Sequence, residues 1–145
     1  MNYLKEYQDN YKTKIDIYQN YSDTFDNIKT IISKELNINL DKYQYDYNER
    51  TTNSGYKMGY HRDNYMLRKF NKQYIFIPFD KNKLPIYTLL WYNECDCKGG
   101  SIEFLSNIIY KPVKNMFIFF DSNEIHRVNE QLSGKRCVLI YKFYK

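Results

Sequence analysis

Gly55-Tyr56-Lys57-Met58-Gly59-Tyr60-His61-Arg62-Asp63-Asn64 is the stretch from which the rest of this chain is read. It reads as a strand that runs into a histidine and an aspartate before Asn64 opens a loop. Residues i and i+2 of a strand point to the same face. His61 and Asp63 therefore project together, and Arg62 turns away. The chain holds only two histidines. The second, His126, follows the strand-like Met116-Phe117-Ile118-Phe119-Phe120 and the turn-like Asp121-Ser122-Asn123-Glu124. Two histidines and one carboxylate form the facial ligand set of non-haem iron sites, which suits Fe(II), Mn(II) or Co(II) more than a thiolate-loving metal and leaves one side of the metal open.

Working outward, the period of two governs most of the chain after residue 42. Short β-rich runs are expected at Lys42–Tyr47, Tyr56–Tyr60, Gln73–Pro78, Ile86–Tyr92, Ser101–Phe104, Ile108–Lys111, Met116–Phe120 and Arg136–Phe143. Turn signals separate them at Asn53-Ser54-Gly55, Asp80–Lys83, Lys98-Gly99-Gly100 and Ser133-Gly134. Before residue 42 the pattern is helical. Phe25, Ile28, Ile31, Ile32 and Leu36 make one stripe, with Ser22 as the capping residue, Asp23 and Asp26 at the positive end, and Asn37 at the exit. Residues 1–20 are ambiguous: Leu4, Tyr7, Tyr11 and Tyr18 fit a helix face, whereas Ile15 and Ile17 alternate. The expectation is one domain over residues 1–145, with residues 1–42 as N-terminal helical support and residues 43–145 as a β-sandwich or barrel.

Composition sets the bounds. The 145 residues suffice for a sizeable core, 43% are hydrophobic, and 17 Tyr and 9 Phe supply much of the burial. A net charge of +5, scattered along the chain, permits an acidic or nucleic-acid partner without demanding one. Cys95, Cys97 and Cys137 form neither a CxxC pair nor an even set. They read as free thiols in a reducing compartment, with zinc held by the three as the lesser alternative. The opening Met1-Asn2-Tyr3-Leu4-Lys5 lacks the apolar segment of a signal peptide, and no apolar run reaches spanning length. A cytoplasmic protein without membrane partners is the expectation.

After His126, Gly134 and Arg136 follow at a spacing that brings a guanidinium to the start of the last strand. A planar fork there can hold a carboxylate through two hydrogen bonds. By parity Val138 and Ile140 share its face, and Leu139, Tyr141 and Phe143 take the other, toward the helix.

Several ordered motifs together resemble the 2-oxoglutarate/Fe(II)-dependent dioxygenases, in particular the prolyl 4-hydroxylase-like branch. Tyr60–Asn64 is similar to the first metal motif. Thr88–Asn93 is similar to the central strand, followed by the loop Glu94–Lys98 and the hairpin residues Gly99-Gly100-Ser101-Ile102-Glu103-Phe104. Lys111–Phe120 resembles the strand before the second histidine, and His126-Arg127-Val128 with Gly134-Lys135-Arg136 resembles the closing motif. The resemblance covers residues 55–143.

It implies a double-stranded β-helix, the jelly-roll or cupin-like sandwich. It implies Fe(II) on His61, Asp63 and His126, and 2-oxoglutarate with its distal carboxylate on Arg136. Val128 and Trp91 would line the co-substrate pocket. Ascorbate would be an accessory reductant, and no catalytic side chain beyond the metal ligands is needed. The implied reaction couples oxidative decarboxylation of 2-oxoglutarate by O2 to hydroxylation of a substrate C–H bond.

Three features depart from the branch. The tyrosine that often shares the histidine's face would by parity be Thr51, Asn53 or Lys57, with Tyr56 and Tyr60 pointing away. Asn115 stands where glycine is usual. The stretch Asn64–Pro85 is long and is expected to form a hairpin or lid, bringing Arg68, Lys69, Phe70 and Tyr74 near the mouth.

Three functions compete. A protein or peptide hydroxylase, with proline the foremost target, stands first. A nucleic-acid demethylase of the AlkB-like branch is second, but Arg136-Cys137-Val138-Leu139-Ile140-Tyr141-Lys142 lacks the Asn, Thr and second Arg of that branch. A non-catalytic binding module on the same scaffold is third, and an intact ligand set with Arg136 argues against it.

Overall fold

A computed structural model describes Leu4, residues 15–71 and residues 73–145. The chain order is β1 (Tyr18–Tyr21), α1 (Phe25–Leu36), a 3-10 turn (Leu40–Lys42), then β2 (Gln44–Thr52), β3 (Met58–His61), β4 (Tyr65–Phe70), β5 (Gln73–Pro78), β6 (Tyr87–Gly99), β7 (Ile102–Phe104), β8 (Ile109–Tyr110), β9 (Met116–Asp121), β10 (His126–Val128) and β11 (Gln131–Tyr144). The strands form a five-stranded sheet in the order β1-β9-β6-β11-β2, a four-stranded sheet in the order β3-β10-β7-β8, and the separate hairpin β4-β5. Every pairing is antiparallel.

Alternation along the central strands builds two apolar layers. Leu89, Trp91, Phe117, Phe119, Tyr141 and Phe143 face α1, where Ile28 and Ile32 are fully buried. Leu90, Tyr92, Ile118, Phe120 and Val138 face the other way and meet Ile102 and Phe104 of the four-stranded sheet. Burying one such isoleucine contributes roughly 1.5–3 kcal/mol. Tertiary docking therefore holds this 12-residue helix, since an isolated helix of that length is marginal in water. The stripe runs as expected, but the cap is Thr24, whose side chain accepts from the Asn27 amide at 3.2 Å. Ser22 lies two residues upstream and accepts from the Thr24 amide. Asn37 ends the helix in the left-handed conformation at φ 56°, which asparagine tolerates.

Several boundaries differ from the sequence expectation, among them β2, which runs on to Thr52, and β11, which begins at Gln131. β1 lies inside the stretch expected to be helical support, yet it is the edge strand of the large sheet, paired to β9. Of the ambiguous opening, Tyr7 and Tyr11 lie outside the described residues. β6 extends to Gly99, well beyond Tyr92, because the polar run Glu94–Lys98 pairs with residues 133–137 of β11. Ser133-Gly134 consequently falls inside a strand. At Gly134 (φ +81°) a Cβ would lie 1.9 Å from the Asp96 carbonyl oxygen, so only glycine admits the close approach of these two strands. No helix among the described residues is long and apolar enough to cross a membrane.

Candidate metal centre and co-substrate cleft

His61 ends β3 and His126 begins β10, and the antiparallel register sets the two directly opposite each other. Asp63 lies two residues past His61. Its Oδ1 is 3.8 Å from His61 Nε2 and 3.5 Å from His126 Nε2. One ligand atom from each of the three lies within 4.8 Å of the others. Each Nδ1 lies 2.9 Å from a backbone carbonyl, that of Gly59 for His61 and that of Glu124 for His126. A carbonyl only accepts, so Nδ1–H donates and the Nε2 lone pair is left facing Asp63. Both rings are thus held in the tautomer a metal requires. The other carboxylate oxygen, Oδ2, accepts from Thr88 Oγ1 at 2.7 Å, and Thr88 is itself hydrogen-bonded to Ser122 Oγ at 2.8 Å.

The ionisation states agree with this geometry. Burial, followed by the neighbouring His126, pushes His61 down to about 4, so its imidazole is neutral near pH 7. Burial opposes ionisation of Asp63. His126, His61, Lys142 and the Thr88 hydrogen bond outweigh it and hold the carboxyl below its usual range. Two imidazoles and one carboxylate, without a thiolate, form a mixed N/O donor set that suits Fe(II), Mn(II) or Co(II) rather than a soft metal.

The three ligands stand in a cleft of about 370 Å³ whose walls include Tyr56, Leu90, Tyr92, Ile102, Val128, Arg136 and Val138. His126 is packed on one side by Phe104 and Phe120, with ring centroids 5.6 Å and 5.1 Å away. Arg136 is only 3% exposed. Its Nη1 donates to the Gly100 carbonyl at 3.0 Å, and its Nε finds no partner. The Tyr56 and Tyr92 rings lie 5.4 Å and 5.9 Å from its carbon centre. Among the described residues no carboxylate forms an ion pair with it. A buried cation without a counter-charge is costly, and a small anion entering this cleft would supply one.

No protein-family model matches the chain, and no curated protein matches it. Solved structures do. A viral collagen prolyl hydroxylase from Paramecium Bursaria Chlorella virus-1, in complex with 2OG, aligns with a TM-score of 0.58 at 18% identity, over 89% of this chain and 80% of that one. A prolyl-4-hydroxylase of Pseudomonas putida aligns with a TM-score of 0.54 at 15% identity, over 83% of this chain and 62% of the other. The fold is that of the 2OG-Fe(II) oxygenases, prolyl hydroxylases among them. An oxidoreductase of the 2OG-Fe(II) oxygenase family from Burkholderia pseudomallei aligns with a TM-score of 0.54 at 11% identity, and the chain spans 49% of its length.

Within this oxygenase fold the structure brings His61, Asp63 and His126 together, and sets Arg136 and Val128 in the same cleft. Trp91 is not there. It lies on the α1 side of β6 with its Nε1 donating to the Ser22 carbonyl at 3.0 Å. Alternation along the strand gives its expected place to Tyr92. Tyr60 points away as parity requires and donates to Glu103 Oε2 at 2.8 Å.

Tyr56 does not follow parity, because residues 53–57 form a loop and not the start of a strand. Gly55 N donates to the Gln131 carbonyl at 2.7 Å and Gln131 N donates to the Tyr56 carbonyl at 2.8 Å. That clamp turns the Tyr56 ring into the cleft, where its hydroxyl accepts from Arg50 Nη1 at 3.1 Å. Arg62, expected to turn away, is buried with its guanidinium carbon 4.2 Å from the Tyr65 ring centroid.

Asn115 does adopt the left-handed conformation, at φ 69°. The stretch after Asn64 is the hairpin β4-β5. Its base, at Tyr65 and Phe79, borders the cleft, whereas Arg68 and Lys69 do not. The side chains of Phe70 and Tyr74 lie outside the described residues. Thr88 was legible only as part of the central strand, since nothing in its neighbours marks it as the partner of Asp63. The zinc alternative fails: His61, Asp63 and His126 make the group of metal-capable side chains among the described residues, and no cysteine joins it.

Proposed function

We propose that this chain is a 2-oxoglutarate- and Fe(II)-dependent dioxygenase that hydroxylates a C–H bond, on a protein or peptide side chain with proline foremost. The observation that carries the reading is the convergence of two Nε2-exposing imidazoles and one carboxylate in a cleft whose floor holds an uncompensated arginine. The facing antiparallel sheets are read as a double-stranded β-helix, the jelly-roll of the solved oxygenases.

His61, Asp63 and His126 would hold the iron, and Arg136 the distal carboxylate of 2-oxoglutarate. Fe(II) with 2-oxoglutarate and O2 supplies the oxidising power when bound; ascorbate would serve to restore the metal's reduced state. The protein's own contribution is orientation and exclusion of water. The Gly59 and Glu124 carbonyls fix the imidazole tautomers, and Thr88 fixes the carboxylate. Arg136, flanked by Tyr56 and Tyr92, offers a charged end to a dicarboxylate, while Ile102, Val128 and Val138 present apolar walls to its methylene chain.

A second hollow of about 530 Å³ continues from the cleft, and Arg50, Asn64, Phe79, Ile140 and Lys142 border both. Asp46, Asp80 and Lys83 line its outer part, and Phe79 is 68% exposed beside it. A mixed-charge hollow with an exposed aromatic ring beside the cleft supports a peptide substrate.

The test is succinate release by anaerobically purified protein after addition of Fe(II), 2-oxoglutarate and air. Pools of Pro-rich peptides are compared with methylated oligonucleotides. Peptide-dependent succinate, absent from His126→Ala, is expected. Equal succinate from wild type and His126→Ala would refute the enzyme reading, and stimulation by oligonucleotides alone would refute the substrate reading.

A further inference from the structure

Outside the cleft, Cys95 and Cys97 lie on the polar half of β6. Strand alternation puts them on one face, both half-buried, with exposed Asp96 between them. Their sulfurs are 3.1 Å apart, and Cys95 Sγ also lies 3.4 Å from the Pro112 carbonyl. Neither is in a disulfide. The third thiol, Cys137, is buried elsewhere, with Sγ 3.1 Å from Glu49 Oε1.

Two thiols this close suit either a shared metal or a sulfur–sulfur bond. Two thiolates on tetrahedral zinc stand about 3.8 Å apart, given Zn–S bonds of about 2.3 Å, and zinc needs four ligands. The observed separation is shorter, and no further metal-capable side chain joins the pair among the described residues. The geometry thus favours bond formation.

We propose that Cys95 and Cys97 are a redox-active dithiol, closing to an intrastrand disulfide by exchange with a low-molecular-weight disulfide of the oxidised-glutathione class. The Cys97 sulfur attacks the small disulfide, giving a mixed disulfide and releasing one small thiol. The Cys95 thiol then gives its proton to water and attacks the Cys97 sulfur. The mixed disulfide breaks, the second small thiol leaves, and the sum is one protein dithiol oxidised for one small disulfide reduced. Cys97 is the first attacker because burial and its hydrogen bond with Cys97 push Cys95 up to about 12. That second influence ends once Cys97 is in the mixed disulfide.

The strand sets the character of the bond. Cα atoms two apart on an extended strand are about 6.7 Å apart, near the upper limit of about 6.8 Å that a disulfide accepts. Closure must pull β6 inward. The ladder opposes this, since Cys95 is paired with Arg136 and Cys97 with Gly134, where the backbones approach so closely that only glycine fits. A strained bond is easily reduced, so the pair serves as a reversible switch and not as a structural staple. This inference does not depend on the metal or on the reaction proposed above.

The test is to incubate the folded, metal-free protein with oxidised glutathione, trap it with an alkylating reagent, and weigh the intact chain and its peptides. The expected product has lost the mass of two hydrogens and blocks Cys95 and Cys97 together, leaving Cys137 alkylatable after unfolding. Excess reduced glutathione should reverse it. Cys95→Ser should instead hold one stable glutathione on Cys97. Free alkylation of both thiols after oxidant, lasting glutathione adducts on the wild type, or closure only in denaturant would each overturn the proposal.

Discussion

Replacing Thr88 by valine removes its hydrogen bond to Asp63 in the proposed metal centre and its bond to Ser122 Oγ; the second lowers stability, and the first bears on the metal. Thr88 is fully buried and Asp63 is 8% exposed, so no bulk water waits to replace the hydroxyl. The bond from Oγ1 to Asp63 Oδ2 is 2.7 Å long, in the range of charge-assisted bonds. Such a bond contributes about 1.5–3 kcal/mol, and about 1.4 kcal/mol is tenfold in affinity. The whole of it would weaken metal binding about 10- to 150-fold. The metal-free valine variant recovers part of the loss, because its Asp63 carboxylate can rotate or take up a proton. The expectation is therefore near the lower end, about 10-fold, in line with other partners of metal ligands. Anaerobic titration with Co(II), followed by visible absorbance, measures it. Thr88→Ser keeps the hydroxyl and should bind within about threefold of wild type, and a thermal melt confirms that both variants fold. A folded Thr88→Val protein with wild-type Co(II) affinity would refute the idea that Thr88 orients the carboxylate.

Three other outcomes follow from the same structure. His61 holds its proton only below about 4 in the folded chain, against 6.5 ordinarily, so between those values the unfolded chain binds a proton the folded one refuses. Metal-free stability should be full above about pH 6.5 and fall as pH drops toward 4, with Asp63, held below its usual range, adding a loss at lower pH. Melting temperature against pH checks this; His61→Gln should flatten the decline, and a parallel profile would count against it. Trp91→Phe should lower stability by about 1–3 kcal/mol, from the lost bond to Ser22 and reduced burial, while leaving 2-oxoglutarate affinity within twofold. A selective loss of that affinity would put Trp91 back in the cleft. Gly134→Ala, at φ +81° and 1.9 Å from the Asp96 oxygen, should cost more than about 2 kcal/mol in urea unfolding. A neutral effect would mean that β6 and β11 do not approach as described.

What the sequence made legible was what local alternation and spacing encode. The helix stripe, the strands at 116–121 and 73–78, the faces of β11 and the convergence of His61, Asp63 and His126 could be anticipated because each rests on periodicity or on a motif. β10 could not: three residues, His126-Arg127-Val128, carry no alternation and become a strand only by pairing with β3 and β7. The polar end of β6 is the same case, since Glu94–Lys98 extends because β11 is beside it. Tyr56 escaped because parity was carried through a loop that Gln131 clamps into another course. Trp91 was assigned to the cleft by motif position, although alternation with Tyr92 already separated their faces. Thr88 had no local signal at all, because its partner is 25 positions away.

The most direct measurement is the visible absorption of anaerobic protein on addition of Fe(II) and then 2-oxoglutarate, where chelation of iron by a 2-oxo acid produces a charge-transfer band. The wild type should develop the band only with both additions and saturate at one iron per chain. His126→Ala should show none, and Arg136→Ala should need at least tenfold more 2-oxoglutarate, in keeping with about 1.5–3 kcal/mol for a bond to a charged group. A folded wild type without the band, or one whose band survives in His126→Ala, would contradict the assignment of His61, Asp63 and His126 as the iron centre.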